Sequence, residues 1–137
     1  MAITSALCNS FKQEILEGVH SSEDTYKIAL FTSSASLDSS TTAYSATSEA
    51  SGTGYDAGGK VLSGLSTGLS GSTAYLTFSD PVWLDATITA RGCLIYNSSK
   101  SNKAVAVFDF GSDIISVNGT FTVDLPAAGA SALIRIA

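Results

Sequence analysis

The chain has 137 residues, which is enough for one ordinary domain and too few for two. Only 14% of its residues are charged, and the net charge is −5 with seven Lys and Arg residues in all. Nucleic acids and anionic membrane surfaces are bound mainly through clustered basic side chains, so this composition argues against both as partners. Ser and Thr, 23 and 14 residues, replace the missing charges and alternate with apolar side chains, as on the solvent faces of β-sheets.

The N-terminal segment predicts one helix, over residues 5–17. Leu7, Phe11 and Ile15 recur at helical spacing, and Gly18 follows as a terminating residue. No basic segment followed by an apolar run is present, so we expect no signal peptide and synthesis in a cytoplasm. No apolar stretch approaches the roughly 20 residues that a membrane helix needs.

The two cysteines are predicted to be reduced, buried and structural. Cys8 falls in the predicted helix and Cys93 in a predicted strand, and their spacing fits no metal site. In a cytoplasmic protein, two such residues behave as small apolar side chains.

Residues 26–32 predict the first strand, and a long polar stretch follows it. The strand has apolar residues on both faces, which favours a central place in a sheet. The stretch, residues 33–59, is rich in Ser, Thr and Gly, with Leu37, Tyr44 and Tyr55 as apolar anchors. Because structureless loops of this length are rare in compact domains, we expect an extended arm or lobe with a functional role.

The dipeptide Gly71–Ser72 predicts a two-residue hairpin turn. The register that follows is Leu65–Phe78, Ser66–Thr77, Thr67–Leu76, Gly68–Tyr75, Leu69–Ala74 and Ser70–Thr73. One face of this hairpin is then apolar and the other polar, so we expect a half-buried antiparallel pair.

The second half of the chain predicts further strands separated by turns. They cover residues 86–97, with a bulge at Gly92, and residues 103–110 and 132–136. Asn118–Gly119 is a strong hairpin signal and predicts a turn between strands 114–117 and 120–125; Pro126–Gly129 predicts another turn. About eight strands without alternating helices predict an all-β domain over residues 1–137 with a short N-terminal helix. The fold is then an antiparallel β-sandwich, a jelly-roll-like fold or a closed barrel.

Several motifs bear on chemistry, and each has a simpler structural interpretation. Gly64–Gly68 matches the nucleophile-elbow pattern around Ser66, but it leads into a strand and His20 lies upstream of it. Gly52–Gly58 resembles a dinucleotide loop without the flanking strand and helix, so its glycines fit tight turns or close backbone contacts. Asp80 and Asp85 flank Trp83 and could form an acid pair, but Asp80 precedes a proline and fits an ordinary turn better. We therefore predict no catalytic residue, no cofactor and no metal site.

A group of segments spread over most of the chain resembles one class of protein. They are residues 8–14 (CNSFKQE), 26–31 (YKIALF), 51–55 (SGTGY), 87–92 (TITARG) and 95–97 (IYN). The chain is similar to small virion structural proteins of tailed phages, above all the decoration or cement proteins that coat icosahedral heads.

The resemblance implies a β-sandwich or jelly-roll domain that is synthesised in the bacterial host cytoplasm. It also implies that the domain self-associates, as a dimer or trimer, and binds the major capsid protein at the capsid surface of the virion. A tail, baseplate or fibre component is the first alternative. A carbohydrate-binding module on the virion is the second, because Trp83 with nearby tyrosines can form a sugar platform. Since long polar loops on rigid scaffolds often make contacts, we predict contact residues in or near residues 33–59: Leu37, Tyr44, Glu49, Tyr55 and Trp83.

Overall fold

The computed structural model describes residues 2–126, 129 and 131–136. The two longest elements are neighbouring strands of 16 and 20 residues. In chain order the elements are β1 (Ala6–Leu7), α1 (Asn9–Leu16), β2 (Tyr26–Phe31), β3 (Lys60–Val61), β4 (Ser66–Ser70), β5 (Thr73–Thr77), β6 (Val82–Asn97), a 3-10 turn (Ser98–Lys100), β7 (Lys103–Thr122) and β8 (Ile134–Ile136).

The strands form two antiparallel sheets. The main sheet has the order β1-β7-β6-β2-β3, and the small sheet has the order β4-β5-β8. Every strand pairing within them is antiparallel. The predicted all-β, sandwich-like fold with one short helix is confirmed.

The main sheet is covered on both faces around β2 and the adjoining halves of β6 and β7. Tyr26, on one face of β2, has its ring 5.7 Å from that of Phe78, which follows the small sheet. Phe31, on the other face, has its ring 6.4 Å from that of Tyr44. The apolar pattern of residues 26–32 therefore predicted the position of β2 correctly, with burial along nearly the whole strand.

The predicted hairpin at Asn118–Gly119 is wrong. β7 runs through this dipeptide without reversing and pairs with β6 along its length, so that Ala86 lies opposite Gly119. Asn118 has a φ of 48° and sits at a bulge, where its backbone N–H donates to Thr87 Oγ1 at 3.0 Å. Asn118–Gly119, which is suited to a left-handed backbone, therefore forms part of a bulge instead of a turn. Pairing of β7 with β6 outweighs the local turn preference. The bulge predicted at Gly92 is confirmed by a register shift between Ala90 and Gly92.

The hairpin at Gly71–Ser72 is confirmed, and five of its six predicted pairs, from Ser66–Thr77 to Ser70–Thr73, form between β4 and β5. The sixth predicted pair, Leu65–Phe78, lies outside the two strands, because β4 begins at Ser66 and β5 ends at Thr77. The predicted burial of the hairpin's apolar face is only partial, because 74% of Leu69 is exposed.

The helix is shorter than predicted. It begins at Asn9 because residues 6 and 7 pair with β7 as strand β1, and Cys8 N–H donates to the Val105 carbonyl at 3.0 Å. Strand pairing with a segment about 100 residues away leaves no local sequence signal. The end is as predicted, with Gly18 at a φ of 75°.

The end of the chain is described only in part. The turn predicted at Pro126–Gly129 includes Ala127 and Ala128, which lie outside the described residues. The terminal strand predicted over 132–136 is present as β8. Cys8 and Cys93 are free and buried, as predicted.

Candidate functional site

Residues 33–59, called the long loop from here on, lie against the main sheet. Three isolated backbone bridges join the loop to its surroundings: Ile3 with Leu37, Ala43 with Lys103, and Phe31 with Glu49. The side of the sheet that it covers carries Phe31, opposite to the side packed near Phe78. The predicted arm therefore follows the surface of the sheet over much of its course.

Glu49 is the centre of the hydrogen bonds that fix the loop. Its Oε1 accepts from the Tyr44 hydroxyl at 2.6 Å. Its Oε2 accepts from the Tyr55 hydroxyl and from the Gly58 backbone N–H, the latter at 2.8 Å. One half-buried carboxylate thus joins three points of the loop that are up to 14 residues apart in sequence, and hydrogen bonds to a charged acceptor are the stronger kind.

The two tyrosines stay protonated as donors to this carboxylate. Burial, and then the hydrogen bond to Glu49, raises the pKa of Tyr55 far above its ordinary value. The same two causes, in the same order, raise the pKa of Tyr44. Tyr55 also accepts from the Leu30 backbone N–H at 2.9 Å, which ties the cluster to β2.

An aromatic stack holds the middle of the loop on the sheet. The rings of Tyr44 and Tyr96 are stacked with centroids 4.7 Å apart. The Tyr96 hydroxyl donates to the Gly58 carbonyl at 2.6 Å. Gly58 is therefore held through its N–H by Glu49 and through its carbonyl by Tyr96.

The glycines of the loop allow close backbone contact, as predicted for this segment. At Gly52, with a φ of 142°, a Cβ would lie 2.0 Å from the Thr87 carbonyl oxygen. At Gly59, with a φ of 79°, a Cβ would lie 1.7 Å from the Ile28 carbonyl oxygen. A side chain at either position would push the loop away from the strand edge.

The five predicted contact residues take up positions inside this arrangement. Leu37, Tyr55 and Trp83 are buried, while Tyr44 and Glu49 are half-buried. The ring of Trp83 lies 6.0 Å from that of Tyr55. Their direct role in an interface stays a prediction; in the structure they hold the loop in place.

Residues 34–48 of the loop, together with Phe31, line a hollow of about 400 Å³. Its rim consists mostly of hydroxyl side chains, among them Ser34, Ser36, Thr42, Ser45 and Thr47. Asp38 is the one carboxylate on its lining, and the hydrogen bonds from the Ser40 side chain and backbone lower its pKa. The hollow thus presents many hydroxyl groups and one charged group, the Asp38 carboxylate, which already accepts hydrogen bonds from Ser40.

A second polar cluster joins the end of α1 to the end of β6. His20 Nε2 lies 2.8 Å from Glu14 Oε1, and Asn97 Nδ2 lies 2.8 Å from Asp24 Oδ2. Lys100 Nζ donates to both oxygens of Asp24, at 2.7 and 2.9 Å. The sequence showed His20 beside acidic residues, but the contribution of Asn97, more than 70 residues later, had no local signal.

The residues of the nucleophile-elbow pattern and of the acid pair are engaged elsewhere. Ser66 lies in β4 opposite Thr77, while His20 contacts Glu14. Asp80 accepts from the Leu125 N–H at 3.0 Å, and Asp85 occupies a bulge of β6 with a φ of 49°. Among the described residues, no group of three or more His, Cys, Asp or Glu side chains is placed to hold a metal ion.

Sequence reasoning missed the exposed apolar side chains of the β6–β7 ribbon. Leu84, Ile115 and Val117 are exposed, the first by 68%. Residues 114–117 were predicted only as one strand of a hairpin, and that prediction did not say which of their side chains are exposed.

The fold and the site together define an all-β, sandwich-like protein with a long loop fixed on one face of its main sheet. Comparison with known proteins gave no match to a family model, to a curated protein or to a solved structure. Within the part of the chain that the structure describes, no helix has the length and apolar character to cross a membrane.

Proposed function

We propose that this protein is a non-enzymatic structural component of a tailed-phage particle that decorates the head by binding the major capsid protein. It acts as a homo-oligomer, a dimer or trimer, on the capsid surface. The observation that carries the proposal is the long loop, a contact surface poor in charge that Glu49 fixes before any partner binds.

A loop that is already ordered favours lasting contact. Flexible loops lose conformational freedom when they bind, and this loss subtracts from the affinity. The hydrogen bonds of Glu49 with Tyr44, Tyr55 and Gly58 order the loop when the protein folds. The loop therefore loses little further conformational freedom when it binds. The surface is then available in one form for many identical capsid sites.

The charge distribution of the loop supports the same role. Its 27 residues contain three charged side chains, Asp38, Glu49 and Asp56, and Glu49 is directed inward to the two tyrosines. Hydroxyl groups cost less to desolvate than charges and readily exchange water for a partner's backbone groups. Such a surface suits a broad contact with another protein.

A rigid sheet scaffold matches the mechanical task. Packaged DNA presses outward on a thin protein shell, and extra contacts across the junctions between capsomers oppose rupture. Each contact contributes little, but the copies on one head act together. The β6–β7 pair, which runs through almost the whole length of both strands, provides the stiffness.

Copy number on purified particles tests this function. Quantitative mass spectrometry should find hundreds of copies of the chain per head, and they should be released when heads are stripped of surface proteins. Six or twelve copies per particle, located at the tail, would replace the proposal with a tail component. The matched reference is the major capsid protein measured in the same digest.

A glycan array distinguishes the second alternative. Trp83, Tyr55 and Tyr96 are buried, so they do not form an exposed aromatic platform. We therefore expect no glycan binding above background, and specific binding would favour the carbohydrate-binding alternative.

A further inference from the structure

Strand β4 is an edge of the small sheet without the usual protection. Among the described residues it pairs only with β5. Exposed sheet edges offer unpaired N–H and C=O groups, and monomeric proteins guard them with charges or proline. Residues 61–79 contain no Asp, Glu, Lys, Arg or Pro. This edge is therefore free to accept another strand.

The face of this edge also exposes apolar surface. A groove of about 400 Å³ separates α1 from the small sheet, and Leu69 lies in its lining with 74% of its surface exposed. The other apolar lining residues include Phe11, Ile15, Leu76, Ile134 and Ile136. A strand added at β4 would place alternate side chains on the same face as Leu69.

We infer that the strand added at this edge is β4 of a second copy, paired antiparallel about a twofold axis at Gly68. The residue order Ser66-Thr67-Gly68-Leu69-Ser70 is nearly symmetric about this glycine. Each Leu69 then lies opposite Thr67 of the other copy, and the two Leu69 side chains are diagonal neighbours on the groove face. The two small sheets become one sheet of six strands.

The face of β4 opposite to Leu69 is also compatible with a twofold axis at Gly68. A Cβ at Gly68 would lie 2.5 Å from the Tyr75 hydroxyl oxygen, so the Tyr75 side chain crosses β4 at this residue. The two Tyr75 rings would flank the axis on the face opposite to Leu69. A glycine at the centre thus leaves room for both rings.

Charge favours a second copy at this edge over other parts of the surface. Each copy carries a net charge of −5, so most faces would bring carboxylates together. The β4 edge brings none. Because five paired residues bury less than the roughly 1,200 Å² of a stable interface, the dimer should be weak in solution and favoured at the high local concentration of a particle.

This inference specifies the self-association within the proposed function, and it is tested on the purified protein alone. Its failure would leave capsid binding untouched, and failure of capsid binding would leave the dimer untouched. Sedimentation velocity over a range up to about 1 mM, where interfaces of a few kcal/mol become populated, should show a monomer–dimer equilibrium.

Leu69→Lys is the decisive variant, because it places a charge on the paired edge. We expect it to raise the dimer dissociation constant at least tenfold. Leu84→Lys, a matched change at an exposed residue of β6, should leave the dissociation constant unchanged. A wild-type protein that remains monomeric throughout, or equal effects of the two substitutions, would overturn the inference.

Disulfide trapping tests the register. In the symmetric pair, Ser66 lies opposite Ser70 of the other copy, at a separation that a disulfide can span. The double variant Ser66→Cys/Ser70→Cys should form a covalent dimer on oxidation, whereas Ser66→Cys alone should not. The native cysteines are buried and do not compete. Equal cross-linking by the single and double variants would refute this register.

Discussion

Asn97 and His20 are joined by a contact of 2.9 Å between the amide Nδ2 and the ring Nδ1. The amide orientation is fixed, because Nδ2 also donates to Asp24 and Oδ1 accepts from the Ser99 N–H at 3.0 Å. The ring Nδ1 therefore accepts, and Nε2 donates to Glu14 Oε1. His20 thus connects the helix end to β6 through both ring nitrogens.

Asn97→Asp should destabilise the fold by about 3 kcal/mol or more, because it buries a second carboxylate next to Asp24. Urea unfolding at pH 7 measures the change. Asn102→Asp, at an exposed position in the turn after β6, is the matched control and should change stability by less than about 0.5 kcal/mol. Equal effects of the two substitutions would refute the role of the cluster.

The contribution of Asp24 to the free energy of unfolding should depend on pH. The hydrogen bond from Lys100, and then that from Asn97, lowers the pKa of Asp24 in the folded state. A carboxyl whose pKa is depressed on folding stabilises the protein fully above its unfolded pKa, about 4, and loses this contribution as pH falls through the folded value. The stability difference between wild type and Asp24→Asn should therefore be constant from pH 7 to about pH 5 and shrink below about pH 4. A difference that stays constant to pH 2.5 would contradict this; urea midpoints at each pH provide the data.

Glu49→Gln should loosen the long loop at a cost of about 2 kcal/mol, since the hydrogen bonds from Tyr44, Tyr55 and Gly58 lose their charged acceptor. The free energy of unfolding in urea measures the cost, and limited proteolysis should cut within residues 33–59 faster than in the wild type. Asp56→Asn, an exposed acid of the same loop, is the control. Unchanged cleavage in Glu49→Gln would show that the carboxylate does not fix the loop.

The two thiols should be inert in the native protein. Burial first, and then the nearby Asp38 and Glu14, raises the pKa of Cys8 to about 11. Burial raises the pKa of Cys93 to about 12. Because the thiolate is the reactive form, Ellman's reagent at pH 8 should detect no thiol in the folded chain and two after denaturation. A rapid reaction of one thiol without denaturant would contradict the burial of that residue.

Local sequence patterns correctly predicted elements, such as the β4–β5 hairpin, whose structure depends on residues close together in the chain. The β4–β5 register followed from the two-residue turn at Gly71–Ser72, since the turn alone sets the pairing. The helix start and the Asn118 bulge could not be predicted in this way. Both depend on pairing with distant strands, β7 for Ala6 and β6 for Asn118, and such pairing overrides local preference.

The sequence predicted where the long loop lies in the chain, but not which of its side chains point inward. The length and polarity of residues 33–59 identified the loop. Tyr44, Glu49 and Tyr55 were predicted as contact residues within it, and that role stays a prediction. An irregular segment has no period from which to tell inward from outward side chains. The inward direction of Tyr55 and Trp83 therefore became visible only with the sheet in place.

Binding to particle heads that lack this protein is the most direct test of the central claim, that the hydroxyl surface of the long loop contacts the capsid. Thr42→Lys/Thr47→Lys places two charges on the rim of the hollow, and desolvating them should weaken binding at least tenfold, or about 1.4 kcal/mol. Thr89→Lys/Thr120→Lys adds the same charges at exposed positions of β6 and β7 and should bind like the wild type. Wild-type affinity of the loop variant, measured by co-sedimentation with heads, would contradict the account.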